Sequence, residues 1–282
     1  MKSILYAIIA TGTLVAATPV SRDVIDTSFD MDDNSTPCAK TAVIFARGTF
    51  DSGNIGVWVG PQFKKSLKDK IDSVAFQGVN EEDYPANLAE YITENGSESC
   101  ANGLASTVNA YASKCPDAKI VVSGWSQGSL CAHKSLERIN AAPLAQVKGL
   151  VVFGDPNGLM DKIAVPSSIN VSSYCIKDTV VPDPLCSETL ASGFKLPTSF
   201  SDLEDLVLDP LRDLPDLATG VEQTKAAIGI LPQLALGFFR NAKYFAKDLL
   251  TGNVRRWLLT PQHFSYGNNG MAEEAAAFVA GL

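Results

Sequence analysis

The chain alternates short apolar runs with stretches of helical periodicity. Thr41–Ala46, Val74–Val79, Ile120–Ser123, Val147–Phe153 and Ile169–Tyr174 read as strands. Between them, Pro61–Lys70, residues 101–113 and Gln127–Asn140 read as helices, the first with Pro61 in its opening turn, where a missing N–H costs little. The closing stretch MAEEAAAFVAG reads as a last helix ending at Gly281. Strands that alternate with helices predict a parallel sheet covered on both faces, a three-layer α/β sandwich.

Residues 190–258 break the alternation, since they hold no convincing strand. Ser201-Asp202-Leu203-Glu204 has the spacing of a capping box, opening a helix that Pro210 stops. Further on, Ile228, Leu231, Ala235, Phe238, Ala242, Phe245 and Leu249 recur at intervals of three and four. That is one apolar face of a helix, with Pro232 in its first turn and Gly252 as its stop. Charge divides too: Asp202 to Glu222 carries seven acidic residues against Arg212, and Gln223 to Leu258 six basic residues against Asp248. The segment is expected to be an inserted, lid-like helical subdomain, with Arg240, Lys243 and Lys247 off its apolar face. The competing expectation is a helical hairpin fixed on the core, its acidic half against its basic half. The polar, acidic residues 18–37 are expected to form a loose N-terminal extension.

Composition narrows the function. The chain has 282 residues, 46% apolar and 19% charged, an ordinary globular balance. A net charge of −8 argues against nucleic acid as a partner. The start MKSILYAIIATGTLVAATPV has a lysine, a short apolar run and small residues at Ala16–Ala17, so residues 1–17 read as a secretory signal and the protein as extracellular. That apolar run is too short for a comfortable membrane span, and no later charge-free run reaches the required length. Six cysteines suit disulfides in an oxidising compartment, and the sequons at Asn34, Asn95 and Asn170 suit glycosylation on the same route. With no CxxC pair and two histidines, neither a metal nor a cofactor is expected.

The stretch SGWSQGSL supplies the chemistry. Ser126 lies between Gly124 and Gly128 directly after an apolar run, the pattern of a nucleophile elbow, a sharp strand-to-helix turn. A serine hydroxyl needs a base. His133 stands seven residues further along the same helix, about 10 Å away at 1.5 Å per residue, and reads as an incidental surface histidine. His263, in the loop TPQHFSYGNN, is the candidate base. An acid should lie between them in the chain, after a strand. Asp155 ends the next strand, and the loop CIKDTVVPDPLC offers Asp178 and Asp183. That loop is preferred because a Cys175–Cys186 bond and two prolines could hold an aspartate still, and within it Asp183 is placed ahead of Asp178. The backbone N–H groups of Gln127 and of Thr49, in the loop ARGT after the first strand, are the expected oxyanion donors.

These motifs together resemble the cutinase family of secreted fungal serine esterases, a group that includes acetylxylan esterases. ARGTFDSGNIGVWVGP resembles its oxyanion loop and KCPDAKIVVSGWSQGS its nucleophile segment. VVFGDP is similar to its following strand, PDPLC to its acid motif and QHFSYG to its histidine motif. The resemblance covers roughly residues 38–186 and 261–282. It implies an α/β-hydrolase-type fold, a triad of Ser126, Asp183 and His263, and disulfides Cys38–Cys115 and Cys175–Cys186. Cys100 and Cys131 are left over, and would be either a third bridge or two buried free thiols. Three departures stand out: a longer acid loop, Trp125 where tyrosine is usual, and the insertion, where typical members have only a short link.

The expected organisation is therefore a catalytic domain of residues 38–189 and 259–282 carrying an insertion at 190–258. The expected function is secreted hydrolysis of carboxylic esters in a polyester or lipid, by a monomer acting at a polymer or lipid surface. An acetylxylan esterase and a surface-binding protein with a dispensable triad are the alternatives.

Overall fold

The computed structural model describes residues 26–32, 36–160, 162–177 and 179–282. The expected signal segment, the Asn34 sequon and Asp178 lie outside them. Five strands, β1 (Thr41–Ala46), β2 (Val74–Gly78), β3 (Lys119–Trp125), β4 (Val147–Phe153) and β5 (Asn170–Tyr174), form an all-parallel sheet in the order β2-β1-β3-β4-β5. The helices among the described residues are α1 (Gly60–Lys70), α2 (Leu88–Thr93), α3 (Glu98–Lys114), α4 (Gln127–Ser135), α5 (Ala141–Leu144), α6 (Phe200–Leu211), α7 (Leu214–Leu217), α8 (Val221–Thr251) and α9 (Met271–Ala280).

Alternation along each strand divides the core in two. Val43, Phe45, Val121, Val151 and Phe153 join Phe63 and Leu67 of α1 and Ala275 and Val279 of α9. Ala42, Ile44, Ile120, Val122 and Val152 join Leu104 and Val108 of α3 and Ala132 of α4. Burial on both faces is why β1, β3 and β4 read as apolar runs. The strand order reverses direction between β1 and β3, and in such sheets the crevice beyond the strand ends at this point is where sites form.

Two expectations about local structure change. Helix α4 ends at Ser135, short of Asn140, where the Ser135 hydroxyl donates to Ala132 O and competes with the helical bonds. Residues 26–32, expected to be loose, instead run along the open edge of β2. Phe29 bridges Gln77, Met31 N donates to Gln77 Oε1, and Ser28 and Met31 are buried. An uncovered sheet edge invites unwanted pairing, and this segment covers it.

The helical region departs from its sequence reading in its details. The capping box sits at Ser199 and Asp202, not Ser201 and Glu204: Ser199 Oγ accepts from Asp202 N, and Asp202 Oδ2 accepts from Ser199 N. Pro210 lies inside α6, which runs one residue past it to Leu211. Helix α8 has 31 residues and starts at Val221, which places Pro232 in its interior instead of its first turn; Gly252 ends it in a left-handed conformation. Its buried stripe is Ala227, Ile230, Leu234, Phe238, Asn241, Phe245 and Asp248, and Ile228 is exposed. Phe238 and Phe245 lie on the expected face; the stripe is turned slightly from it because it also contains Asn241 and Asp248, which an apolar pattern skips. Helix α8 packs through Phe238 and Phe245 on Trp257, and through Phe245 on Phe200 of α6. Phe238, Phe245 and Trp257 belong to the same buried cluster as Val43 and Phe153, and the half-buried Phe200 packs against it. No ion pair among the described residues joins the acidic α6–α7 stretch to the basic residues of α8, and α6 meets α8 through apolar packing.

Candidate active site

The turn from β3 to α4 holds Ser126 at φ 57°, ψ −124°, a left-handed backbone that a non-glycine residue adopts only under strain. The flanking glycines are required by close approach. A Cβ on Gly124 would lie 2.1 Å from Gly128 O, and one on Gly128 would lie 2.0 Å from Ala46 O. The elbow is tied to the neighbouring strand by Ser126 N donating to Phe153 O at 2.9 Å.

His263 and Asp183 meet from opposite sides of the helical region. His263 Nδ1 donates to Asp183 Oδ2 at 2.7 Å, and both side chains are buried. The carboxylate also accepts from the Tyr266 hydroxyl at 2.6 Å and, on Oδ1, from Leu185 N at 3.0 Å. Burial acts against the charge of Asp183. The neighbouring His263 and the bonds from His263, Tyr266 and Leu185 outweigh it and hold its pKa below the ordinary value. Burial and the Asp183 carboxylate push the Tyr266 phenol far up, so it stays a proton donor. His263 Nε2 is buried without a hydrogen-bond partner among the described residues. It lines the same cavity as Ser126, and the hydrogen bond between the two is not formed.

The acid loop is clamped from several directions. A Cys175–Cys186 disulfide closes it, Asp183 N donates to Ile176 O at 2.7 Å, and Arg255 Nε donates to Pro184 O at 2.8 Å. Two further disulfides join Cys38 to Cys115 and Cys100 to Cys131, and among the described residues no cysteine is free. Thr49 and Gln127 are fixed to each other: Thr49 Oγ1 donates to Gln127 Oε1 at 2.8 Å, and Gln127 Nε2 donates to Gly96 O at 2.9 Å.

The other candidates lie elsewhere. His133 is buried, not on the surface, and its Nε2 lies 2.8 Å from Asp155 Oδ2. That bond occupies Asp155 and leaves it no part at His263. Asn170 is exposed on the edge strand β5, while the half-buried Asn95 accepts from Arg256 Nη1 at 3.0 Å.

Residues to which the sequence reading gave no catalytic role complete the site. Trp125 stacks on the His263 ring at 5.4 Å, and its Nε1 donates to His263 O at 3.1 Å. Tyr266 was legible only as part of the motif HFSYG. Above Ser126 lies a cavity of about 40 Å³, lined by Phe50, Leu88, Tyr91, Trp257 and Leu258 and roofed by Ile230, Leu234 and Phe238 of α8. Asp248, near the end of α8, accepts from Arg256 Nε at 2.7 Å and from Trp257 Nε1 at 2.6 Å, pinning the helix beside the site.

A parallel sheet carrying a serine elbow at one strand end, with a histidine–aspartate pair beyond later strands, is an α/β sandwich of the α/β-hydrolase type. A family model described as Cutinase matches residues 37–196, more than half of the chain. The chain belongs to the cutinase family. A cutinase of Hypocrea jecorina is 38% identical over 120 residues, 43% of this chain and 47% of that protein. A cutinase of Coprinopsis cinerea is 37% identical over 158 residues, 55% of this chain and 73% of that protein. The match thus spans about half the length of the first relative. A solved structure of Trichoderma reesei cutinase with a C11Y4 phosphonate inhibitor is 22% identical, with 91% of this chain and 79% of that chain covered and a TM-score of 0.48.

Proposed function

We propose that this protein is a secreted serine esterase that cleaves carboxylic esters with an apolar acyl part. One observation carries the reading: the imidazole of His263 is oriented by Asp183 through Nδ1, keeps Nε2 unpartnered, and lines the same cavity as Ser126. In the first half-reaction Ser126 Oγ attacks the ester carbonyl carbon as its proton passes to His263 Nε2. The carbonyl oxygen becomes an oxyanion, received by the N–H groups of Thr49 and Gln127. The carbon–oxygen bond to the alcohol then breaks, and the alcohol leaves with the proton from Nε2. Water repeats the sequence on the acyl-enzyme, giving the acid and free Ser126. Asp183 stays ionised throughout and stabilises the imidazolium.

The lining of the cavity favours a lipid or polyester acyl chain over an acetyl group on a sugar, which would need polar partners. At about 40 Å³ the cavity is small for an acyl chain, and in this reading the roof formed by α8 shifts to admit one. In this reading residues 190–258 act as a cover on the catalytic sandwich. Three disulfides support the secreted, oxidised setting.

A series of p-nitrophenyl esters, with Ser126→Ala as control, tests the proposal. Turnover that rises from acetyl to butyrate and beyond is expected, and is lost in the control. Turnover confined to the acetyl ester would select the acetylxylan reading, and none at all would select the binding protein.

A further inference from the structure

Helix α8 is apolar on its outer surface as well as its inner one. Ile228, Phe239 and Leu250 are 64%, 75% and 89% exposed. They follow one another at intervals of 11 residues, close to three helical turns, so they line up on the solvent side along about 33 Å of helix. Leu236, also exposed, widens the strip. Exposed single apolar residues are common, but three in register on one helix are not scattered.

The charges around the strip say what it meets. Arg240, Lys243 and Lys247 are exposed on α8, and none is within ion-pair distance of a carboxylate among the described residues. The carboxylates of the helix itself are occupied, Glu222 by Lys225 and Asp248 by Arg256. A positive, unpaired face on a chain of net charge −8 is complementary to an anionic surface. Long basic side chains beside large apolar ones also suit a helix lying in a lipid interface, where the rings and aliphatic groups sink and the cations stay at headgroup level. Two copies of this face would set their cations against each other, which disfavours a dimer.

We propose that the outer face of α8 is a docking surface for an anionic lipid layer. The opposite face of the same helix roofs the cavity over Ser126, through Ile230, Leu234 and Phe238. Docking therefore puts the lipid surface against the element that the proposed function takes as the cover, and to that extent rests on that reading. The exposed acids Asp205 and Asp209 of α6 are repelled by the same surface, so the molecule lands on α8 in one orientation.

Cosedimentation of the Ser126→Ala protein with lipid vesicles tests this, and because no hydrolysis is measured, its failure and a failure of the esterase reading are separate results. Binding to equimolar phosphatidylcholine–phosphatidylglycerol vesicles is expected to exceed binding to pure phosphatidylcholine. Adding Phe239→Asp should lower the partition by about tenfold or more, the loss of one large apolar group. Adding Lys243→Glu should lower it at least roughly fivefold on the anionic vesicles, with little change on the neutral ones. Both positions are exposed, so the melting temperature should stay at that of Ser126→Ala, and this checks folding. No partition onto either vesicle, or partition that neither substitution changes, overturns the proposal. So does a concentration-dependent dimer, seen by ultracentrifugation, that Phe239→Asp abolishes, since a second copy would then be the occupant.

Discussion

Tyr266 donates its hydroxyl proton to Asp183 at 2.6 Å, on the same oxygen, Oδ2, that receives His263 Nδ1 at 2.7 Å. The two residues lie in different segments, and their bond fixes the carboxylate plane against which the imidazole is set. Ile176 N and the Cys186 sulfur approach the same phenol at 3.3 Å, so the ring is held in turn.

Replacing Tyr266 by Phe removes one hydrogen bond to a charged group and keeps the ring. A bond of this kind contributes about 1.5–3 kcal/mol. A positioning role predicts a fall in kcat of roughly tenfold to a hundredfold, with KM for a short ester nearly unchanged. It also predicts an acid limb of the pH–rate profile displaced upward, because Asp183 loses a bond that favours its ionised form. A variant with unaltered kcat and profile would make Tyr266 a packing residue only.

The two histidines should separate in opposite senses. His263→Ala should cost several orders of magnitude in kcat, as removal of the base from a serine triad does. His133→Ala should leave kcat within a few fold. It should lower stability by about 1–3 kcal/mol, because the half-buried Asp155 loses a partner and the buried imidazole leaves a gap. Paired ester assays and urea melts check both, and an equal loss of kcat in the two variants would remove His263 from its assigned place.

Asp51 gives the fold a pH dependence of its own. Burial pushes its pKa up to about 7, against the hydrogen bond from Val57, the charge of Arg47 and the bond from Ser52, which favour ionisation. The unfolded chain releases this proton near pH 4, so between about pH 4 and 7 the native state binds more protons than the unfolded one. Stability from this group is therefore complete below about pH 4 and falls as pH rises to about 7, with a slope on the order of 1 kcal/mol per pH unit. Asp51→Asn keeps an oxygen for Ser52 N and Val57 N and should flatten that slope. Urea melts at about pH 4 and about pH 7, the two ends of the window, would show the same difference in both proteins if Asp51 is not the cause.

Asp248 is the fastening of α8. Asp248→Asn leaves the half-buried Arg256 charge without its counterion and should cost about 1–3 kcal/mol. If α8 is a cover, hydrogen exchange in residues 238–251 should speed up more than in β3 or β4, and turnover of a short soluble ester should rise. Uniformly faster exchange, with turnover unchanged or lower, would mark α8 as a fixed part of the core.

The sandwich was legible because strands buried on both faces have no alternative to apolar runs, and because helices between parallel strands must cross over. The serine elbow was legible for a related reason: backbone contact at Gly124 and Gly128 excludes any side chain, so the chemistry of the turn is written in residue type. The helical region was legible as helices and only roughly in orientation. Phe238 and Phe245 of the expected apolar face are buried and Leu231 and Leu249 half-buried, but the inward stripe also takes in Asn241 and Asp248 and leaves Ile228 exposed, so hydrophobicity alone sets the face slightly askew. Asp248 sits inside because Arg256 and Trp257, across a turn, neutralise and bond it.

The sequence by itself determined the class of fold, the order of strands and helices, and a short list of groups able to act as nucleophile, base, acid and oxyanion donors. These are properties of spacing and residue type, which local sterics and burial impose directly. Only the tertiary structure decided that Asp155 belongs to His133 and Asp183 to His263, that Trp125 stacks on the His263 ring, and which side of α8 faces Ser126. Each of those is a pairing across 22 to 138 residues of chain or a choice between two faces of one helix. Such choices are made by which arrangement leaves no buried charge or polar group alone, a condition on the whole packed molecule that no local stretch contains.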